Sequence, residues 1–121
     1  MEKKKPRLRL SYNAPTELTF VLLCAAVQGI SVLTGGSSST HVFSVGRSAL
    51  SLNPLTWFRL FLHVLGHADW DHLLNNMMFI LILGPMIEEK HGSLNTLFVI
   101  LATALVTGLV YVVFFPNSLI L

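Results

Sequence analysis

The chain has 121 residues, about the length of one domain, and 53% of them are hydrophobic while only 12% are charged. Soluble domains carry about 25% charged residues, so the composition argues against a soluble domain and predicts a protein of the lipid bilayer. The net charge of +2 does not predict nucleic-acid binding, because the basic residues concentrate at the N-terminus: Lys3, Lys4, Lys5, Arg7 and Arg9. Such a cluster beside an apolar segment is typical of a cytoplasmic anchor.

The first apolar segment follows directly on this cluster. A basic segment before an apolar run also fits a signal peptide, but this run is longer than most signal-peptide cores and ends without a small-x-small cleavage pattern. We therefore expect a basic cytoplasmic N-terminus over residues 1–17 and an uncleaved membrane span over residues 18–34. The single cysteine, Cys24, lies inside this span and cannot form an internal disulfide.

A loop is predicted over residues 35–56, ending at the helix-entry signal Asn53-Pro54. Residues 55–66 then repeat apolar side chains every three or four positions: Trp57, Leu60, Phe61, Val64 and Leu65. This period predicts an amphipathic helix that lies in or near the membrane interface rather than a full span.

Two further spans are predicted, over residues 70–87 and 94–115, with a short polar loop between them. Asp69 or Asp71 can cap the start of the second span. The third span carries small side chains that let helix backbones approach closely: Ala102, Ala104, Thr107 and Gly108.

These patterns predict an all-α membrane protein with three transmembrane helices and an interfacial helical loop, in one membrane domain over residues 18–121. We expect the chain to lie in the cell membrane. The excess of lysine and arginine before the first span predicts that its N-terminus is cytoplasmic. The long loop and His72 then lie on the outer side.

His72 and Asn76 are the residues most indicative of chemistry. Four positions apart, they share one helix face at the head of an apolar span. Uncompensated polar groups are costly there, so the pair either joins helices by hydrogen bonds or donates hydrogen bonds to an oxyanion beside a hydrated cavity. The residues alone leave these two interpretations evenly matched.

His63 and His67 precede this pair, also four positions apart. We expect them to form hydrogen bonds within the loop and to lipid headgroups. A metal site shared by His63, His67 and His72 is a weaker alternative, because the sequence lacks His-Glu-x-x-His and the three residues straddle a predicted helix break.

The segment from Trp57 to Asn76 reads WFRLFLHVLGHADWDHLLNN, and Gly84 and the string Glu88-Glu-Lys-His-Gly-Ser93 follow it. Its motifs occur in a fixed order: an aromatic–arginine pair, three spaced histidines, His-x-x-x-Asn, a later glycine and glutamate, and Gly-Ser at the next helix. Over about residues 55–95 the sequence resembles the rhomboid family of intramembrane serine proteases.

The resemblance implies the N-terminal half of a rhomboid-like six-helix bundle, in an endopeptidase that cleaves the transmembrane helices of substrate proteins. It assigns His72 and Asn76 to oxyanion stabilisation, Arg59 to holding the long loop, and Glu88 and Gly84 to structural roles. It implies neither a metal nor an organic cofactor.

The sequence departs from the family pattern in its catalytic pair. The family's nucleophilic serine in Gly-x-Ser-Gly and the histidine base of a later span are both missing from residues 1–121. Ser93 lies on the wrong side of the predicted membrane, and Ser118 has no base to activate it. We therefore expect a chain truncated before the nucleophile and inactive alone, with a non-catalytic binding module for client helices as the alternative. Its unpaired polar helix face also predicts loose packing or self-association.

Overall fold

A computed structural model describes residues 13–46 and 54–115. These ranges are mostly helical and contain no strand, which confirms the predicted all-α class. The helices are α1 (Pro15–Leu33), α2 (Pro54–Leu62), α3 (Trp70–His91) and α4 (Ser93–Phe114), with a π-helical turn over Ser39–Phe43 and a 3₁₀ turn over His63–Leu65. The basic N-terminal cluster and Ser118 lie outside the described residues.

Within the described ranges, two helices are long and apolar enough to cross a membrane by length and composition. They are α1, with 19 residues and a mean hydropathy of 1.8, and α4, with 22 residues and a mean hydropathy of 2.6. Helix α3 also has 22 residues, but polar and charged side chains in its end turns lower its hydropathy.

The outward faces of the long helices are apolar. Phe79 and Ile82 on α3, and Leu94 and Phe98 on α4, each expose more than 60% of their surface. Large contiguous apolar surfaces are rare on soluble monomers, so these faces suit contact with lipid.

The three long helices pack side by side with alternating directions. Residues at the N-terminus of α1 contact the C-terminal turn of α3 and the first residue of α4. Helix α1 therefore runs antiparallel to α3 and parallel to α4. We call this end of the bundle the Glu88 end, and the opposite end, where α3 begins, the His72 end.

The segment between α1 and α3 folds against the His72 end. Val45 and Leu60 form a buried apolar cluster with Val112 of α4. A methyl group at Gly108 would lie 3.1 Å from Leu60 Cδ2 and 3.2 Å from His63 Cε1, so the small residue predicted to permit close packing does so for α2 and its 3₁₀ extension.

Two loop predictions were wrong in detail. The polar string after residue 87 is not a loop, because α3 continues to His91 and only Gly92 separates it from α4. Gly92 adopts φ 84°, a left-handed conformation that glycine tolerates, and its N–H bonds to the carbonyl of Glu88 at 2.7 Å.

The second correction concerns the start of the long loop, which includes the π-helical turn. The N–H of Thr40 bonds to the carbonyl of Gly36 at 3.1 Å. The buried Ser39 hydroxyl bonds to that of Ser31 on α1 at 2.7 Å. These contacts give local order to a Gly/Ser-rich stretch that lies within the predicted loop.

Candidate functional site

The start of α3 is set by Asp69, whose carboxylate accepts a hydrogen bond from the backbone N–H of His72 at 2.8 Å. This is an N-cap, which satisfies one of the free N–H groups of a first helical turn. It places His72 in that turn, with Asn76 one turn further along the same face.

His72 and Asn76 line a cleft of about 470 Å³ at the His72 end. All three long helices and the segment before α3 contribute to its walls. The other lining residues are Phe20, His63, Val64, Gly66, His67, Met77, Phe79, Ile80 and Thr107.

The two candidate donors are available to a bound group. His72 and Asn76 are both exposed, and neither side chain has a hydrogen-bond partner among residues 13–46 and 54–115. An imidazole and a carboxamide can each present an N–H donor. Two such donors beside one cleft can stabilise a negatively charged oxygen.

His63 and His67 form hydrogen bonds within the loop, as expected, but both side chains are buried, so the expected contact with lipid headgroups is wrong. They are 3% and 4% exposed, and their Nδ1 atoms donate to the carbonyls of Leu60 at 3.0 Å and Leu65 at 3.2 Å. Burial lowers the pKa of both imidazoles, although these hydrogen bonds oppose the shift. Both rings are therefore neutral near pH 7, with the proton on Nδ1.

His67 also touches His72. The two ring centroids are 5.4 Å apart and the ring planes meet at 80°, an edge-to-face contact. No group of three or more His, Cys, Asp or Glu in the described parts of the chain is arranged to hold a metal ion.

The sequence did not identify Phe20 and Thr107 as residues that line the cleft. The Thr107 hydroxyl lies 3.5 Å from Nε2 of His63 and donates to the carbonyl of Thr103 at 2.8 Å. A hydroxyl within an apolar span is a signal that could have identified Thr107. Phe20 had no such signal, because it is one apolar residue among many on α1.

Arg59 lies on α2, outside the cleft. Its guanidinium donates a hydrogen bond to the backbone carbonyl of His41. This contact ties α2 to the π-helical turn, two parts of the segment between α1 and α3.

Glu88 lies at the opposite end of α3, about 24 Å from His72 at 1.5 Å per residue. Its carboxylate accepts from the backbone N–H groups of Thr16 at 2.9 Å and Glu17 at 3.0 Å. It also accepts from the hydroxyl of Ser93 at 2.5 Å. One carboxylate thus caps the first turn of α1 and ties it to both α3 and α4.

Gly84 permits the close approach of α1 and α3 near this end. A methyl group at Gly84 would lie 2.6 Å from Cδ and 2.7 Å from Cγ of Glu17. The buried Glu17 side chain therefore occupies the space that a Cβ at position 84 would take.

The family model described as the Rhomboid domain matches residues 54–121, which include both donors. The chain belongs to the rhomboid family. Among curated relatives, Rhomboid-like protein 11, chloroplastic, of Arabidopsis thaliana is 31% identical over 81 residues. No solved structure gives a significant match.

The matched region covers 64% of this rhomboid chain but only 29% of the Arabidopsis relative, so the chain spans less than a third of that protein's length. Family membership and the two apolar helices make the chain a membrane protein.

No serine lines the cleft of this rhomboid chain in its described parts. Ser93, the serine of the predicted Gly-Ser pair, bonds to Glu88 at the other end of the bundle. The described site therefore contains candidate donors without a serine beside them.

Proposed function

We propose that the chain supplies the oxyanion-stabilising side of an intramembrane serine endopeptidase site, with His72 and Asn76 as the two donors. The observation that carries the proposal is their shared position: one helical turn apart, exposed to the same cleft, and without hydrogen-bond partners in the described residues. Family membership supports the reaction class.

The proposed substrates are transmembrane helices of other proteins, with the scissile carbonyl bound in the cleft. A serine Oγ, supplied by a Gly-x-Ser-Gly segment that residues 1–121 do not contain, would bond to the carbonyl carbon while a histidine base takes its proton. The carbonyl oxygen becomes negatively charged, and N–H groups of His72 and Asn76 would donate to it. Collapse of this intermediate breaks the peptide C–N bond as the protonated histidine gives its proton to the leaving amine. Water, deprotonated by the same histidine, then attacks the acyl carbon and releases the serine, which regains its proton.

We also propose three membrane spans, α1, α3 and α4. Helix α3 matches α4 in length and lies antiparallel to both partners, so it would cross the same thickness of bilayer despite its polar ends. The basic N-terminus would lie in the cytoplasm, and the cleft would open toward the outer side of the cell membrane.

Reconstitution tests the donor roles. Residues 1–121 would be co-expressed in a membrane with the C-terminal half of a rhomboid protease that carries Gly-x-Ser-Gly and the later histidine. We expect cleavage of a transmembrane reporter, and a fall in kcat of about 10²- to 10³-fold for His72→Ala or Asn76→Ala, as for loss of one oxyanion donor.

The matched control is Asn75→Ala, because Asn75 is an exposed asparagine directly beside Asn76. It should leave kcat within about twofold. Equal losses for Asn75→Ala and Asn76→Ala would refute the assignment. Residues 1–121 alone should not react with a serine-directed fluorophosphonate, and labelling of any serine would overturn the proposed inactivity.

A non-catalytic binding module is the second candidate, and the exposed apolar side chains of α3, such as Phe79 and Ile82, favour it. In this case client helices, or a second copy of the chain, would cover the exposed His72–Asn76 face. A photo-crosslinker at position 76 should then capture transmembrane partners, while the reconstituted pair cleaves nothing.

A further inference from the structure

Of the two proposed donors, His72 makes a ring contact that can fix its imidazole. Its exposed imidazole has no hydrogen-bond partner among the described residues, and a side chain without such a partner samples several rotamers. The contact is the edge-to-face packing against His67, at 5.4 Å and 80°. Aromatic pairs favour this geometry at centroid distances of 4.5–7 Å.

His67 is itself held firmly. It is 4% exposed, and its Nδ1–H donates to the carbonyl of Leu65 at 3.2 Å. The ring is therefore fixed by burial and by a backbone contact on the segment before α3, while His72 stands on α3 itself.

We propose that His67 is a positioning residue, whose ring holds the His72 imidazole in the rotamer that faces the cleft and Asn76. The inference rests on the proposed oxyanion role of His72. His67 lies outside the His-x-x-x-Asn pair, and it would act through His72 rather than on the substrate.

Two substitutions separate the ring of His67 from its hydrogen bond. His67→Phe keeps an aromatic ring and removes the Nδ1–H donor. His67→Gln removes the ring and keeps an N–H donor on a flexible side chain. A purely structural role predicts that both variants perturb His72 only in proportion to lost stability, whereas positioning predicts that glutamine perturbs His72 more than phenylalanine.

The first readout is NMR of the histidine rings of residues 1–121 in bicelles. In His67→Gln, the His72 ring resonances should move toward random-coil positions and the ring order parameter should fall. In His67→Phe, the His72 order parameter should stay close to that of the original chain.

His63→Gln is the matched control, because His63 is equally buried but bonds to Leu60 and lies beside Thr107 instead of packing on His72. It should lower stability and leave the His72 order parameter unchanged. An unchanged His72 order parameter in His67→Gln, or an equal change in His63→Gln, would overturn the proposal.

The second readout is cleavage by the reconstituted pair. His67→Gln should lower kcat by about threefold to tenfold with little change in KM, as expected for loss of one aromatic contact, and His67→Phe should recover most of the rate. Combining His67→Gln with His72→Ala should lower kcat no further than His72→Ala alone.

These outcomes distinguish the two hypotheses. If His72→Ala has no effect on kcat, the oxyanion role itself is wrong. If His72→Ala lowers kcat but His67→Gln does not, or if the two losses add in the double variant, His72 keeps its role and the positioning by His67 is refuted.

Discussion

At the residue scale, the described polar side chains that lie inside the bundle are held largely by backbone groups. Glu88 binds two backbone N–H groups of α1, and His63 and His67 bind carbonyls of their own segment. Pairing with the backbone reduces the cost of removing polar groups from water. These hydrogen bonds allow polar side chains to be buried in a mostly apolar chain.

Replacing Glu88 tests how much such pairing with the backbone stabilises the chain, because its carboxylate accepts two backbone hydrogen bonds. Glu88→Gln removes the charge and replaces one acceptor oxygen with an NH₂ group that cannot accept from the α1 backbone. Since hydrogen bonds to charged groups contribute about 1.5–3 kcal/mol, we expect the free energy of unfolding to fall by about 2–3 kcal/mol. Denaturant titration in mixed micelles would measure it.

The control is Glu89→Gln, which makes the same change at an exposed neighbour and should shift the free energy of unfolding by less than about 0.5 kcal/mol. If both variants lose equally, the loss reflects net charge and not the cap that Glu88 provides for α1.

At the element scale, helix starts were predictable because their signals are local. Pro54 begins α2 and Asp69 caps α3, and both stand beside the helix they start. The end of α3 was not predictable in the same way. The sequence around Glu88 predicts a polar loop, because the partners of Glu88 lie on α1, 71 and 72 positions earlier in the chain.

The approach of α1 to α3 gives a prediction for Gly84. Gly84→Ala would bring a methyl group to 2.6 Å from Cδ of Glu17, and overpacking costs about 1–3 kcal/mol. Alanine regains up to about 1 kcal/mol of helix propensity, so we expect a net loss of about 1–2 kcal/mol in the free energy of unfolding.

In a Glu17→Ala background the space opens, so Gly84→Ala should become neutral or stabilising, which a double-mutant cycle would measure. Gly29→Ala is the control on α1, because a methyl group there would meet no atom within 4 Å. It should stabilise the chain by up to about 1 kcal/mol. Equal effects of Gly84→Ala in both backgrounds would contradict the contact with Glu17.

At the scale of the whole molecule, the bundle separates its two groups of polar contacts. The Glu88 end ties the three long helices together, and the His72 end carries the cleft. The spacing of His72 and Asn76 was predictable because one helix sets it. The cleft was not, because Phe20, His67 and Thr107 come from three separate segments and meet only in the packed molecule.

This packing predicts that the stability of the whole chain depends on pH. His63 and His67 lie between α1 and α3, outside the proposed spans, and burial lowers the pKa of each below its ordinary value of about 6.5. Above that pH both histidines are neutral in the folded and unfolded states, so the folded chain has its full stability. As the pH falls below about 6.5, the unfolded state takes up protons first, and the free energy of unfolding decreases. It stops decreasing once the pH is below the lowered pKa values of the folded state.

Unfolding titrations in mixed micelles between pH 8 and pH 5 should therefore show a steady loss of stability below about pH 6.5. The slope with pH, and not the absolute stability, is the informative quantity. In the double variant His63→Gln, His67→Gln the slope should be smaller although the chain is less stable at every pH, because the two buried groups that resist protonation are gone. A slope that is unchanged in the double variant would show that other groups control the acid sensitivity, and that His63 and His67 are not kept neutral by burial at the wall of the cleft.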